Sequence, residues 1–284
     1  MKLKFYLPLV LLAFALPSLG AAEVQSYALG PGPNAVGVAL VKPKWLTGTL
    51  TAVDPVGMRV QDTAVPGLAM SAPFPWEKQP AYLEISSAPN QAGLVGERYE
   101  VDVSQNPANA QGWIRLKADP ANTRRDLPAG LVGATYVIRP HWTLDNLFGG
   151  LGRSALRPSR AASSADEVHL TEPSSGVSEG YFLCSDPAAA GWRLSRNRKG
   201  PEQSRAVLRP GTALLVHAKG PLVFSLFGEA RTNAFRLPLR TGPNFVSGGH
   251  RLALRLPDLL DMAANIASGM VSQHTHKKLR LMHG

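Results

Sequence analysis

The chain has 284 residues with 30 Lys and Arg against 20 Asp and Glu, a net charge of +10, and 44% hydrophobic residues. That length and apolar content exclude a disordered or staple-dependent mini-protein. A single cysteine, Cys184, excludes any intramolecular disulfide and any paired-cysteine metal motif.

The first element predicted is a leader. Lys2 and Lys4 precede an apolar run from Phe5 to Leu19, and Gly20-Ala21-Ala22 follows. A basic start, a short apolar stretch and small residues are the marks of a secretory signal peptide, whereas a membrane-spanning helix needs about 20 apolar residues. Residues 1–22 are read as that signal, with the mature chain starting near Glu23 and Pro17-Ser18 favouring cleavage over retention as an anchor. The expected location is exported, periplasmic or extracellular, with no transmembrane segment once the signal is removed.

Period-two patterns follow, broken by Gly, Pro, Asn and Asp. Val36, Val38 and Leu40 alternate with smaller residues, Tyr99, Val101 and Val103 with Glu100 and Asp102, and Phe235, Leu237 and Leu239 with Arg236 and Pro238. One apolar and one wet face is the signature of antiparallel strands. No helical pattern intervenes among them, which argues against parallel βαβ architecture. Cys184, in the run Tyr181-Phe182-Leu183-Cys184, is expected as a small buried hydrophobe. The exception to the strand pattern is 257–273, where Leu259, Leu260, Ala263, Ile266, Ala267, Met270 and Val271 recur at spacings of three and four. That spacing predicts an amphipathic helix. Asp258 and Asp261 deny it a basic membrane-binding face, so it is expected to cap the β body.

The chain also echoes itself. Gly112-Trp113 and Leu147-Phe148-Gly149 are matched, 79 residues later, by Gly191-Trp192 and Leu226-Phe227-Gly228. Self-similarity at a fixed offset predicts two related β modules. The expectation is therefore an all-β protein: two related antiparallel β modules, sandwich or barrel-like, with a C-terminal amphipathic helix. The boundaries read as a first module over 23–149, a Gly/Ser/Arg/Pro-rich linker over 150–164, a second module over 165–249, and a helix with basic tail over 250–284.

From Tyr136-Val137-Ile138-Arg139-Pro140-His141-Trp142-Thr143-Leu144, the chain resembles an uncharacterised family of exported bacterial proteins. Val41-Lys42-Pro43, Leu46-Thr47-Gly48-Thr49-Leu50, Ala165-Asp166-Glu167-Val168, Gly191-Trp192 and Gly242-Pro243-Asn244-Phe245-Val246-Ser247-Gly248 fit the same family. The resemblance runs from about Gly30 to Gly249. It implies export and a β-rich body, and brings no assigned cofactor, substrate or catalytic residue.

Charge is divided unevenly. Residues 23–140 hold ten Lys/Arg and ten Asp/Glu, whereas 141–284 hold eighteen against ten. Arg193, Arg196, Arg198, Lys199, Arg205 and Arg209 crowd one stretch. Such a cluster steers anionic partners, or it serves only as a solvated face. The binding candidates are Arg193, Arg196, Arg198, Lys199 and Arg205 toward an anionic polysaccharide or another envelope component, with no specific nucleic acid. His141 beside Trp142 is a second candidate, as an aromatic platform for a sugar or as a packed landmark of the fold.

No catalytic residue, cofactor or metal is predicted. Gly176-Val177-Ser178-Glu179-Gly180 matches a nucleophile elbow in spelling, with Asp258 or Asp261 and His274 available downstream. An elbow needs a strand before and a helix after; here Pro173-Ser174-Ser175 and Tyr181-Phe182-Leu183 predict a hairpin loop. His274, His276 and His283 in the tail lack the further ligands a metal site requires. The alternative function is an extracellular carbohydrate-active or other hydrolase on a β scaffold, whose paired carboxylates would leave no local signature.

Overall fold

Where apolar and polar side chains alternate, the backbone is extended and paired. The computed structural model describes residues 22–64, 79–102, 112–119, 122–231, 233–234, 236–237 and 244–247. In chain order the strands are β1 (Ala22–Leu29), β2 (Gly32–Gly37), β3 (Leu40–Val41), β4 (Leu46–Thr49), β5 (Ala52–Asp54), β6 (Arg59–Gln61), β7 (Ala81–Ser87), β8 (Arg98–Glu100) and β9 (Trp113–Arg115). They continue as β10 (Thr135–Pro140), β11 (Trp142–Thr143), β12 (Glu167–Thr171), β13 (Ser178–Cys184), β14 (Gly191–Leu194), β15 (Val207–Leu208), β16 (Ala213–Ala218) and β17 (Leu222–Ala230). A short helix, α1 (Leu144–Phe148), interrupts them after β11. Every pairing between these strands is antiparallel, so the all-β, antiparallel expectation holds.

Two hydrophobic clusters organise the sheets. The first lies between a four-stranded sheet, β4-β10-β7-β8, and a three-stranded one, β5-β6-β9. Leu83, Ile85, Tyr99, Ile114, Tyr136 and Ile138 fill it from alternate strand positions. A five-residue phrase, Ala-Gly-Leu-Val-Gly, occurs twice, at 92–96 and 129–133. Both copies form a 3-10 turn that drops a leucine, Leu94 or Leu131, into this core. Both close on a glycine with positive φ, Gly96 at 84° and Gly133 at 82°, a conformation that costs other residues about 1–2 kcal/mol. Each then delivers a buried tyrosine three residues on, Tyr99 or Tyr136.

The second cluster lies between β14-β13-β12-β16-β2 and β1-β17-β3, with the two-stranded β11-β15 and α1 closing it. Val36, Val168, Leu183, Trp192, Val216, Phe224 and Leu226 are among its members, and Tyr27 stacks on Phe224 at a centroid distance of 4.7 Å. Fully burying such side chains contributes about 1.5–3 kcal/mol each, enough for each cluster to hold its own sheets. The chain's first two strands belong here: β1 pairs with β17 along its whole length, and β2 pairs with β16. The stretch 150–164 is packed rather than free, because Leu156 is buried in this core and Ser159 bridges Cys184. Cys184 itself is free and buried.

Local chemistry sets the ends of α1. Thr143 caps it by accepting from the Asn146 amide at 3.4 Å, Asp145 lies in the first turn, and Gly149 at φ 79° ends it. Of the echoed landmarks, Gly112 and Gly191 both have positive φ and open β9 and β14, but Leu147-Phe148 lies in α1 while Leu226-Phe227 lies in β17. The amphipathic segment 257–273 and the histidines of the tail lie outside the described residues, as does most of 235–239. Among the described residues no helix is long and apolar enough to cross a membrane.

Candidate functional site

The predicted basic residues sit on β14 and on the loop that joins it to β15, at an edge of the five-stranded sheet among the described residues. Their roles separate. Arg193 spends its guanidinium on the backbone, donating to the carbonyls of Ala189 at 3.0 Å, Gly200 at 2.6 Å and Ala190 at 3.0 Å. It ties the loop shut. Arg196 pairs with Glu179, and Arg198 reaches Asp186 at 3.3 Å. Lys199 and Arg205 are exposed and make no ion pair among the described residues.

Arg198 also makes a contact that no local pattern encodes. Its Nη1 donates to the carbonyl of Arg160 at 2.9 Å, which brings the 150–160 stretch against the loop. Arg153, Arg157 and Arg160 of that stretch are exposed and free of ion pairs among the described residues. The contact joins the segment that carries Arg153, Arg157 and Arg160 to the loop that carries Arg196, Arg198, Lys199 and Arg205, with Glu179 paired to Arg196 and Asp186 to Arg198. Reading 150–164 as a linker hid three of these arginines, although their density in the sequence was the available signal.

His141 and Trp142 lie elsewhere, where the two cores meet, and the structure corrects the sugar-platform reading. The His141 side chain has no exposed surface, and Trp142 is 9% exposed. Stacking on a sugar needs an open ring face, which neither offers. Trp142 belongs to the second core and donates from Nε1 to the Leu40 carbonyl at 2.9 Å, with Lys42 over its ring at 5.3 Å. His141 packs against Tyr82 and shares a 2.8 Å hydrogen bond from Nε2 with Glu100.

Around this pair runs a seam of buried charge between the cores. Arg209 binds Glu100 at 2.5 Å and Glu172 at 3.3 Å, Arg139 binds Glu229 at 2.6 Å, and Arg231 binds Glu84 at 2.5 Å. Arg98 donates to the carbonyls of Pro210 and Arg236, each at 2.6 Å. Burial raises the pKa of Glu100, but the His141 contact and the Arg209 guanidinium outweigh it and hold that carboxyl down at about 2. Ionised and acceptor-only, Glu100 accepts a hydrogen bond from His141, so Nε2 is the nitrogen that carries hydrogen. Burial, with Arg231 close by, pushes Arg98 down to about 10, so it stays charged at neutral pH.

No family model, curated protein or solved structure matches the chain. The chemistry therefore rests on the geometry alone. At the seam a small cleft of about 20 Å³ is lined by Leu40, Lys42, Tyr82, Trp142, Arg209 and Arg231 among others, which is room for about one water molecule. Among the described residues no three His, Cys, Asp or Glu side chains converge as a metal site. The serine of the Gly-x-Ser-x-Gly match opens β13 after the turn from β12, in a hairpin, as the flanking residues predicted.

Proposed function

We propose that this protein is an exported, non-catalytic binding component of the cell envelope or extracellular space. Its contact surface is the joined basic face of 153–160 and 193–205, and its partner is an anionic polysaccharide. The observation that carries this reading is the Arg198–Arg160 contact, which fuses two arginine-bearing segments into one field. Paired arginines remain usable: Arg196 has a side chain 74% exposed, and exposed ion pairs contribute only about 0–1 kcal/mol. A polyanion can displace Glu179 at little cost. Clustered cations raise the local concentration of a polyanion, an effect that fades beyond a screening length of about 8 Å at physiological salt.

Export is supported by the leader pattern in residues 1–22 and by the resemblance carried by Tyr136–Leu144. It is also compatible with the first strand: cleavage after Ala22 leaves Glu23–Leu29 of β1 paired with β17. Mass spectrometry of the protein recovered from the periplasm and medium tests this part. An intact Met1 N-terminus would overturn it.

The binding part is tested on immobilised heparin as a generic polyanion, using the full mature chain. The expected result is retention released smoothly by rising salt. Substituting Arg157, Arg160, Lys199 and Arg205 by Ser, all exposed and away from either core, should abolish it. Retention that survives these four changes overturns the assignment.

A further inference from the structure

Two histidines share the outer face of the five-stranded sheet. On β12, Val168 and Leu170 belong to the second core, which commits Glu167 and His169 to the opposite side; on β16, Val216 and Ala218 are core and His217 faces outward. The register sets Glu167 directly opposite His217, with His169 as the diagonal neighbour. The two imidazole rings lie 5.3 Å apart between centroids, and Glu167 Oε2 is 3.3 Å from His169 Nε2. The Glu167 and His169 side chains are 22% and 28% exposed, so protons and ions reach them from solvent.

Gly180 makes room for this arrangement. It lies opposite His169 in the β12–β13 pair, and a side chain there would begin 2.9 Å from the His169 ring and 3.1 Å from Ser195 Oγ, a hydroxyl that makes no hydrogen bond among the described residues. The other direct cross-strand neighbours do not titrate: Phe182 stands opposite Glu167, Leu215 opposite His169 and Pro33 opposite His217. Asp166, one residue before Glu167, is buried and accepts from the backbone amides of Arg157 and Lys219, and Lys219 itself is exposed two residues past His217. The patch is also in line with the basic segments. Arg193 lies opposite Phe182, and Phe182 opposite Glu167, so three strand spacings, about 14 Å, separate Arg193 from His217. At its Phe182 end the same face is packed by Ala162, from the stretch that follows Arg157 and Arg160.

We propose that His169 and His217 form an acid-activated extension of the polyanion surface, taking an oxyanion group of the polysaccharide when both rings are protonated; this rests on the polyanion reading of the basic segments. Histidine is the side chain whose ordinary charge change falls between pH 5 and 8. Neutral rings leave the Glu167 carboxylate as the charge of the pair's own ladder, which repels a polyanion. Protonated rings outnumber that carboxylate two to one and repel each other across 5.3 Å, and an external anion relieves the excess. Proton and polyanion therefore favour one another, each raising the affinity for the other by the same factor.

Calorimetric titration of the full mature chain with a heparin oligosaccharide, at pH 5.5 and 7.5 and fixed ionic strength, tests this. The wild type should bind about tenfold more tightly at pH 5.5, the equivalent of two exposed ion pairs. His169→Gln with His217→Gln should lose most of that gain while keeping the wild-type affinity at pH 7.5, and Glu167→Gln should bind more tightly than the wild type at pH 7.5. All three positions lie outside either core, and unchanged urea midpoints at pH 7.5 report an intact fold. In the wild type the oligosaccharide should also raise the pH at which the ring-proton NMR signals of His169 and His217 titrate. A wild type without the pH gain, or a gain that persists in the double variant, overturns the role of the histidines and leaves the polyanion surface standing. Absence of binding at both pH values overturns both.

Discussion

Arg209 and Glu100 meet at 2.5 Å although each belongs to a different core. Glu100 ends β8 in the first, and Arg209 follows β15 in the second; His141, at the crossing from β10 to β11, holds the other carboxylate oxygen at 2.8 Å. The two halves of the protein are thus joined through a shared ionised carboxylate as well as by covalent connection. Arg139–Glu229 and Arg231–Glu84 repeat the arrangement along the same seam.

That carboxylate makes the joint acid-sensitive. A carboxyl group held near 2 in the fold, against an ordinary value of 4.5, stabilises the native state above 4.5 and loses that contribution as the pH falls toward 2. The wild type should therefore lose on the order of 2–3 kcal/mol across that window. Glu100→Gln should lower neutral-pH stability while flattening this part of the profile. Urea denaturation at pH 7, 4.5 and 3 reads both effects, and an unchanged slope in the variant would contradict the role given to Glu100.

Gly48 is required by a buried hydrogen bond. It lies opposite Tyr136 in the β4–β10 pair, and the Tyr136 hydroxyl donates to Asp62 Oδ2 at 2.8 Å across it. A side chain at position 48 would begin 1.8 Å from that carboxylate oxygen and 2.9 Å from the hydroxyl. Gly48→Ala should cost about 2–3 kcal/mol by displacing Asp62 from a buried partner. In a double mutant with Asp62→Ala the loss should be clearly smaller than the sum of the two singles, which thermal melts can measure.

The twin Ala-Gly-Leu-Val-Gly turns predict twin sensitivities. Gly96→Ala and Gly133→Ala force a side chain into positive φ, at about 1–2 kcal/mol each, and the costs should be similar because the turns are the same. Chemical denaturation of both single variants is the check. A cost at one site several times that at the other would show that the likeness ends at the backbone.

These turns also mark how far the sequence can be read. Strand alternation was visible at Tyr99 and Val101 because one face of β8 is core and the other meets the polar seam. The repeated turn, 37 residues apart, was equally visible in the letters. The longer echo at an offset of 79 residues is the weaker guide, since it matches a helix at Leu147-Phe148 to a strand at Leu226-Phe227. Pairing of β1 with β17 brings residues some 200 positions together, and no local pattern encodes such a partner. The same holds for the seam: Arg209 looked like one more member of a surface cluster, and its burial against Glu100 follows from topology. His141-Trp142 stood out as a motif because it is the point where the chain passes between cores, which a motif search cannot distinguish from a binding site.

The buried triad of Glu84, Arg231 and Arg98 offers a sharper test of what holds the seam. Glu84 has no exposed side-chain surface and accepts from Arg231 at 2.5 and 2.7 Å, and Asn233 donates to it as well. Arg98 is close enough for Arg231 to disfavour its charge and for Glu84 to favour it. Removing one partner of a buried pair generally costs about 3–5 kcal/mol, because the other charge is left uncompensated. Here the two removals differ. Arg231→Gln leaves Glu84 with Arg98 as a neighbouring cation, whereas Glu84→Gln leaves two buried guanidiniums facing each other. Glu84→Gln should therefore be the more destabilising by roughly 1–2 kcal/mol, and Glu84→Gln with Arg98→Met should recover part of that loss. Urea midpoints of the three variants decide it: equal costs for the two single changes would mean that Arg98 does not sense the pair and that the seam is a set of separate bridges.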